Sequence, residues 1–258
     1  MKKVLLICSC MICILLSCHG NQDMALSSNI NLDNQGNLDD DNDESNTVDN
    51  EEEILIKEFK ILSLGDSYTI GQSVCETCRF PEQLKDSLIN NIANSNYTLD
   101  VIAKTGWTTT DLKNAINSQN TSQDYDLVTL LIGVNNQYQN KPFSLYETEF
   151  PELLDTAIIH AQGNKNKVIV ISIPDYAYTL FGQGISNSEQ ISEELNHYND
   201  FAKQYSTEKD VTFIYITDIT REGLNNPNLV ASDDLHPSEF AYSLFVERLL
   251  PNAIEKLQ

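Results

Sequence analysis

Ser67 stands in the run Gly65-Asp66-Ser67-Tyr68-Thr69-Ile70-Gly71, directly after a short apolar segment. A serine at the carboxyl end of a strand, on a glycine-assisted turn leading to a helix, projects its hydroxyl into a cleft with its backbone N–H pointing the same way. Gly-Asp-Ser alone also serves ordinary turns. The far end of the chain supplies what a serine nucleophile lacks, in Asp233-Asp234-Leu235-His236-Pro237-Ser238. An Asp three residues before a His can turn back to accept from one imidazole nitrogen while the other faces the serine. Ser67, His236 and Asp233 would then be nucleophile, base and orienting group, with Asp234 the rival for the last role. Acyl transfer also needs donors for an oxyanion, and two loops offer them: Lys104-Thr105-Gly106-Trp107 and Gly133-Val134-Asn135-Asn136-Gln137. Gly106 lets its N–H approach a substrate closely, and Asn135 donates from an uncharged carboxamide.

These residues need a scaffold that gathers them. Four apolar runs rich in Ile, Leu and Val read as buried parallel strands: Phe59–Leu64, Leu127–Ile132, Lys167–Ile173 and Val211–Ile216, with a weaker fifth at Leu99–Ala103. Helical spacing lies between them, over Pro81–Ala93, Thr110–Ile116, Tyr146–Ala161, Ser188–Tyr205 and Ser238–Leu257. Alternation of this kind predicts an α/β fold, a three-layer α/β/α sandwich on a mostly parallel five-stranded sheet. Ligands of such sheets bind beyond the carboxyl ends of the strands, where all four loops fall.

The ordered set GDSYTIG, KTGW, GVNNQ and DDLHPS resembles the four sequence blocks of SGNH (GDSL-type) hydrolases, over nearly all of 59–258. The resemblance implies the flavodoxin-like fold of that family and a serine esterase that needs no cofactor or metal. It implies Ser67 as nucleophile, an oxyanion hole of the Ser67 and Gly106 N–H groups and the Asn135 side chain, His236 as general base and Asp233 as its orienter. One departure is visible: the third block usually reads Gly-x-Asn-Asp, and position 136 is Asn. Altered hydrogen bonding is expected there rather than lost chemistry. The aromatic segment Pro174–Gly182 leaves the fourth strand on the same edge, so Tyr178 and Phe181, with Tyr68 and Trp107, are expected to wall the substrate site. A capping loop over the sheet is the plainer reading of that segment. The expected substrate is an ester, a short acyl group such as O-acetyl on carbohydrate, with lysophospholipid as the alternative. A surface-tethered binding protein that keeps the fold without turnover is the reading from another class.

The remaining residues bound the answer. With 16 basic against 38 acidic residues in 258, the net charge is −22, which argues against a nucleic-acid partner. Lys2 and Lys3 precede an apolar run from Val4 to Leu16, too short to span a bilayer but suited to an export signal. Leu15-Leu16-Ser17-Cys18 resembles the lipobox of bacterial lipoproteins, which implies a lipid on Cys18 and a place in the bacterial envelope, periplasmic or at the cell surface. Residues 19–58 carry twelve acidic residues, eight Asn and no aromatic residue. They read as a disordered tether with a reach of about 35 Å. Asp33, Asp39, Asp41 and Asp43 could bind calcium, but the glycine and terminal Glu of an EF-hand loop are missing at the required spacing. The expected organisation is a signal over 1–17, a lipidated Cys and tether over 18–58, and one hydrolase domain over 59–258, monomeric. Cys75 and Cys78 suit a local disulfide in an exported protein better than a zinc site or a redox pair. His160 and His197 read as surface or interfacial helix residues.

Overall fold

Two runs are apolar or buried at every position and form the middle of the sheet: β3 (Leu127–Leu131) and β4 (Val168–Ile171). Beside them β1 (Lys57–Gly65) is buried from Ile61 onward. β2 (Ser95–Ala103) and β5 (Thr212–Ile214) are the edges, giving the order β2-β1-β3-β4-β5 with every pairing parallel. This is the expected α/β sandwich, seen in a computed structural model that describes residues 55–185 and 187–258. The signal, Cys18 and the tether up to residue 54 lie outside the described residues.

β2 is longer than Leu99–Ala103 because its first half alternates half-buried and exposed positions, as an edge strand with one covered face does. Val211, Tyr215 and Ile216 fall outside β5, which pairs with β4 over three residues only.

Helices connect the strands: α2 (Phe80–Asn91) before β2, α3 (Thr109–Ser118) before β3, α5 (Phe143–His160) before β4, the one-turn α6 (Leu180–Gln183) and α7 (Ser188–Glu208) before β5, and the one-turn α8 (Thr217–Thr220) and α9 (Glu239–Leu257) after it. α2 packs with α9, while α5 packs with α3 and α7. Crossovers of one hand put the first pair on one face and the three others opposite, because the chain leaves β1 toward one edge and β3 toward the other. Much of the aromatic mass joins α5 to α7, where Tyr146 meets Tyr198 at 4.6 Å and Phe201 at 5.9 Å between ring centroids. His160 is 6 % exposed, its Nδ1 2.6 Å from the Ser122 carbonyl oxygen, so of the two places expected for it, surface or interface, it takes the interface.

Local signals set the helix starts that matter for the site. Thr108 and Asp111 form a capping box at α3: the Thr108 hydroxyl accepts from Asp111 N–H, and Asp111 Oδ2 accepts from Thr108 N–H at 2.9 Å. Ser238 caps α9, accepting from Ala241 N–H at 3.1 Å. Gly133 has φ +132°, and a Cβ there would lie 2.7 Å from the Tyr146 ring and 2.8 Å from Ile173, so only glycine lets the chain turn out of β3 here.

Cys75 and Cys78 form a disulfide just before α2. Closing so short a loop is worth about 2 kcal/mol in the chain-entropy account. The Cys75→Ser/Cys78→Ser protein should therefore melt about 4–8 °C lower by calorimetry. An unchanged Tm would show that the crosslink adds nothing to the fold.

Candidate active site

The chain leaves β1 and β3 toward opposite edges of the sheet, and the crevice between their carboxyl ends is the switch point where such folds bind ligands. A cavity of about 310 Å³ opens there, lined by Ser67, Tyr68, Thr105, Gly106, Val134, Asn135, Tyr138, Tyr176, Phe181, Leu235 and His236. Four loops separated by up to 169 positions in sequence thus meet at one place.

Ser67 is the first residue of the one-turn helix α1 (Ser67–Ile70), which Asp66 caps by accepting from Tyr68 N–H at 3.0 Å. Asp66 is fully buried, and burial pushes its carboxyl up to about 7 against the hydrogen bonds of the cap. Ser67 itself is 4 % exposed, so its hydroxyl reaches solvent only through the cavity.

His236 arrives from the loop before α9, a loop pinned by Ala231 N–H donating to the His236 carbonyl at 2.7 Å and Ser238 N–H to Leu229 at 2.9 Å. Asp233 Oδ2 lies 2.6 Å from His236 Nδ1, while Oδ1 accepts from the N–H groups of His236 (2.9 Å) and Leu235 (3.1 Å). Ser73 adds a hydroxyl donor to Oδ2 at 2.5 Å. Partial burial works against ionising this carboxyl, but the bonds from Ser73, the His236 backbone, the imidazole and Leu235 outweigh it and bring it down to about 2. The carboxylate is then charged at any pH where an imidazole titrates, and Nδ1 is committed to it. Nε2 is left for the cavity. Tyr68 packs edge-on to the imidazole, ring centroids 5.7 Å apart, and holds the ring plane.

Asp234 does not compete for the imidazole. It sits at φ +60°, and its carbonyl accepts from Phe181 N–H at 3.1 Å, which fastens the cavity wall to the histidine loop.

Opposite Ser67, Gly106 takes φ +86° with open space where a Cβ would be. Among the described residues, the N–H groups of Ser67 and Gly106 donate to no protein atom. Asn135 is the second residue of the short helix α4 (Val134–Tyr138) and gives one Nδ2 hydrogen to the Trp107 carbonyl at 3.0 Å, leaving the other free for the cavity. Three uncharged donors therefore border the space next to the Ser67 hydroxyl, the composition of an oxyanion hole.

The two donor loops are tied together. Gln139 Nε2 donates to the Gly106 carbonyl at 2.9 Å, and Asn136 Oδ1 accepts from Thr109 N–H at 2.9 Å. Asn136 Nδ2 donates to Thr109 Oγ1 at 2.7 Å, and that hydroxyl passes its own hydrogen to Glu149 Oε2 at 2.5 Å. Asn136 is fully buried and Glu149 nearly so, with Lys113 3.6 Å from the carboxylate. An Asp at 136 would leave two carboxylates, its own and that of Glu149, facing one hydroxyl proton.

Of the aromatic residues expected to wall the site, Tyr68 and Phe181 line the cavity, and Tyr178 and Trp107 do not. Residues 176–178 form a 3-10 turn, whose side chains point about 120° apart, so Tyr176 faces the cavity while the Tyr178 ring lies 6.0 Å from the Arg221 guanidinium. Trp107 serves through its carbonyl, and its ring packs on the core. Tyr176, Tyr138, Leu235, Thr105 and Val134 are the wall residues that the sequence left unassigned. Tyr176 sits in the aromatic segment already singled out; Ser73, the extra donor to Asp233, lies 160 positions from its partner and carries no local signal.

The family model for GDSL-like lipases and acylhydrolases matches residues 63–244, and the chain belongs to that family of ester hydrolases. No curated protein sequence matches it. Among solved structures, the fold is shared with a lipase/acylhydrolase from Enterococcus faecalis (TM-score 0.58, 21 % identity, 78 % of this chain and 97 % of that one). It is shared equally with an acetyl xylan esterase from Geobacillus stearothermophilus (TM-score 0.58, 17 % identity, 78 % and 96 %). A member of the lipolytic G-D-S-L family from Veillonella parvula aligns at TM-score 0.55 and 21 % identity over 75 % and 97 %.

Asn136→Asp should cost about 1–3 kcal/mol of stability and lower turnover, whereas adding Glu149→Gln should restore most of both. A double variant no better than Asn136→Asp, by calorimetry and initial rates, would show that the two side chains are not coupled.

Proposed function

We propose that the chain hydrolyses short acyl esters, O-acetyl groups on carbohydrate, through an acyl-enzyme on Ser67. The observation that carries this is Asp233 held 2.6 Å from Nδ1 of His236, which lines the same cavity as Ser67 and three unspent donors. His236 Nε2 takes the Ser67 proton as the hydroxyl oxygen attacks the carbonyl carbon. The negative charge passes to the carbonyl oxygen, which the Ser67 and Gly106 N–H groups and Asn135 Nδ2 stabilise. Collapse breaks the bond to the alcohol oxygen, and the imidazolium returns its proton to that leaving group. Water, deprotonated by His236, then adds to the acyl carbon and releases the acid and Ser67. Asp233 keeps the imidazole in one tautomer and offsets its transient charge.

Among the described residues no Lys or Arg lines the cavity, which suits an uncharged ester better than a phosphate. Its volume lies at the small end of the range of about 300–1,000 Å³ for small-molecule sites, which favours a short acyl group. The shared fold with an acetyl xylan esterase points the same way. A lipid reading has its own support in Leu180, 67 % exposed beside Phe181, and an apolar notch of about 120 Å³ that Leu180 shares with Leu224 and Val230. None of the notch residues lines the catalytic cavity.

Nitrophenyl esters from acetate to palmitate separate the two readings: rates should fall with chain length, and a maximum at palmitate would give the lipid reading. Ser67→Ala should abolish hydrolysis, and Asn135→Ala should lower kcat about 10²–10³-fold with little change in KM. Full activity in Ser67→Ala would overturn the mechanism.

We also propose that the domain is held in the bacterial envelope by a lipid on Cys18, on the strength of the Lys2-Lys3, Val4–Leu16 and Ser17-Cys18 pattern. Labelled palmitate should enter the wild type and not Cys18→Ala, which should leave the membrane fraction. Membrane retention of Cys18→Ala refutes the anchor.

A further inference from the structure

The catalytic cavity does not end at Tyr138 and Tyr176. Both residues also line an adjoining hollow of about 170 Å³, with Gln137, Asn140 and Glu194 on its far side. Those three residues border in turn a second hollow of about 280 Å³ that reaches His197. Shared linings make one trough, running from the space beside Ser67 across the α4–α7 surface.

The lining changes character along its length. Tyr138 stands at the junction, 49 % exposed, braced by Tyr176 and Phe181 at ring centroid distances of 6.0 and 6.2 Å. Beyond it amides and the Glu194 carboxylate stand among apolar side chains, Ile185 and Ile191 in the nearer hollow and Phe143 in the farther, with Lys141 at that far end. Tyr176 Oη donates to Gln137 Oε1 at 2.8 Å, Gln137 Nε2 donates to Glu194 Oε2 at 2.7 Å, and Gln190 Nε2 donates to Glu194 Oε1 at 2.8 Å. Each of these groups keeps hydrogen-bonding capacity beyond the bonds named: a second amide hydrogen on Gln137, and further lone pairs on Glu194. The exposed Asn140 adds another amide at the edge.

A fatty chain laid here would strip water from these groups and return no hydrogen bond, at about 1–3 kcal/mol for each group left unpaired. An anionic polymer would meet Glu194 in both hollows, while Lys141, the one Lys or Arg among their described lining residues, borders only the farther. A neutral polyhydroxylated chain answers both faces, placing C–H groups on the Tyr138 ring and hydroxyls on the amides and carboxylate.

We propose that this trough is a carbohydrate-binding site that holds the sugar residues next to the one whose ester sits at Ser67, so that the preferred substrate is an acylated oligo- or polysaccharide chain and not an acylated monosaccharide. The assignment rests on the ester hydrolysis proposed above for Ser67, and it adds a second binding region about Glu194 and Asn140.

The test measures kcat/KM on O-acetylated xylo-oligosaccharides from mono- to tetrasaccharide, with nitrophenyl acetate in parallel and calorimetric binding of unacetylated xylotetraose to the same protein. In the wild type, kcat/KM should rise about tenfold or more with length, mainly through KM. Glu194→Ala and Asn140→Ala should flatten that rise, lowering the ratio of tetrasaccharide to nitrophenyl acetate kcat/KM by about tenfold. A wild type that cleaves nitrophenyl acetate but shows neither a length dependence nor xylotetraose binding overturns the trough while leaving the esterase intact. Failure on nitrophenyl acetate with xylotetraose still bound overturns the esterase reading instead. Because the wild-type length profile needs no variant, it decides the matter even where a substitution unfolds the protein.

Discussion

β1 and β3 are paired in parallel side by side, yet the chain leaves β1 toward one edge of the sheet and β3 toward the other, so the connections diverge above their carboxyl ends. That constraint opens the crevice, and each part of the site depends on it. Ser67 stands one turn beyond β1, Gly106 just beyond β2, and Asn135 just beyond β3. Only His236 comes from outside the sheet, on a loop that has to be carried across. The bonds from Ala231 to His236, from Ser238 to Leu229 and from Phe181 to Asp234 do the carrying.

Electrostatics and positioning divide the work between two networks. On one side, hydrogen bonds from Ser73, Leu235 and His236 keep Asp233 ionised despite partial burial, so a fixed negative charge faces the imidazole. On the other, a run from Asn136 through Thr109 to Glu149 ties the two donor loops without placing a net charge beside the oxyanion space. A buried Asp at 136 would put a second carboxylate on the Thr109 hydroxyl, with Lys113 the nearby counter-charge and already engaged by Glu149 and Glu152. Asn136 is thus a consistent partner of Glu149 and not a defect in the loop.

The sequence revealed most where periodicity and local chemistry coincide. β3 and β4 are buried on both faces and read as apolar runs broken only by Thr129, and the turn after β1 announces itself by its glycines. The first half of β2 was hidden because an edge strand alternates, and its polar positions resemble a loop. Ser67, Gly106, Asn135, Asp233 and His236 all sit in or beside short motifs, so their positions were legible. What surrounds them was not, because Ser73 and Glu149 meet their partners across long stretches of chain. Tyr176 faces the cavity and Tyr178 does not, a difference hidden in the sequence because composition says that a segment is aromatic and not which ring a 3-10 turn sends inward.

The account stands on a covalent intermediate at Ser67, and rapid-quench mass spectrometry during turnover of nitrophenyl acetate reads it directly. One acetyl group should appear on the peptide that contains Ser67 and should persist longer in Asp233→Asn, in which the imidazole loses its fixed negative partner. Turnover with no acetyl adduct, or with the adduct on another residue, would contradict the account.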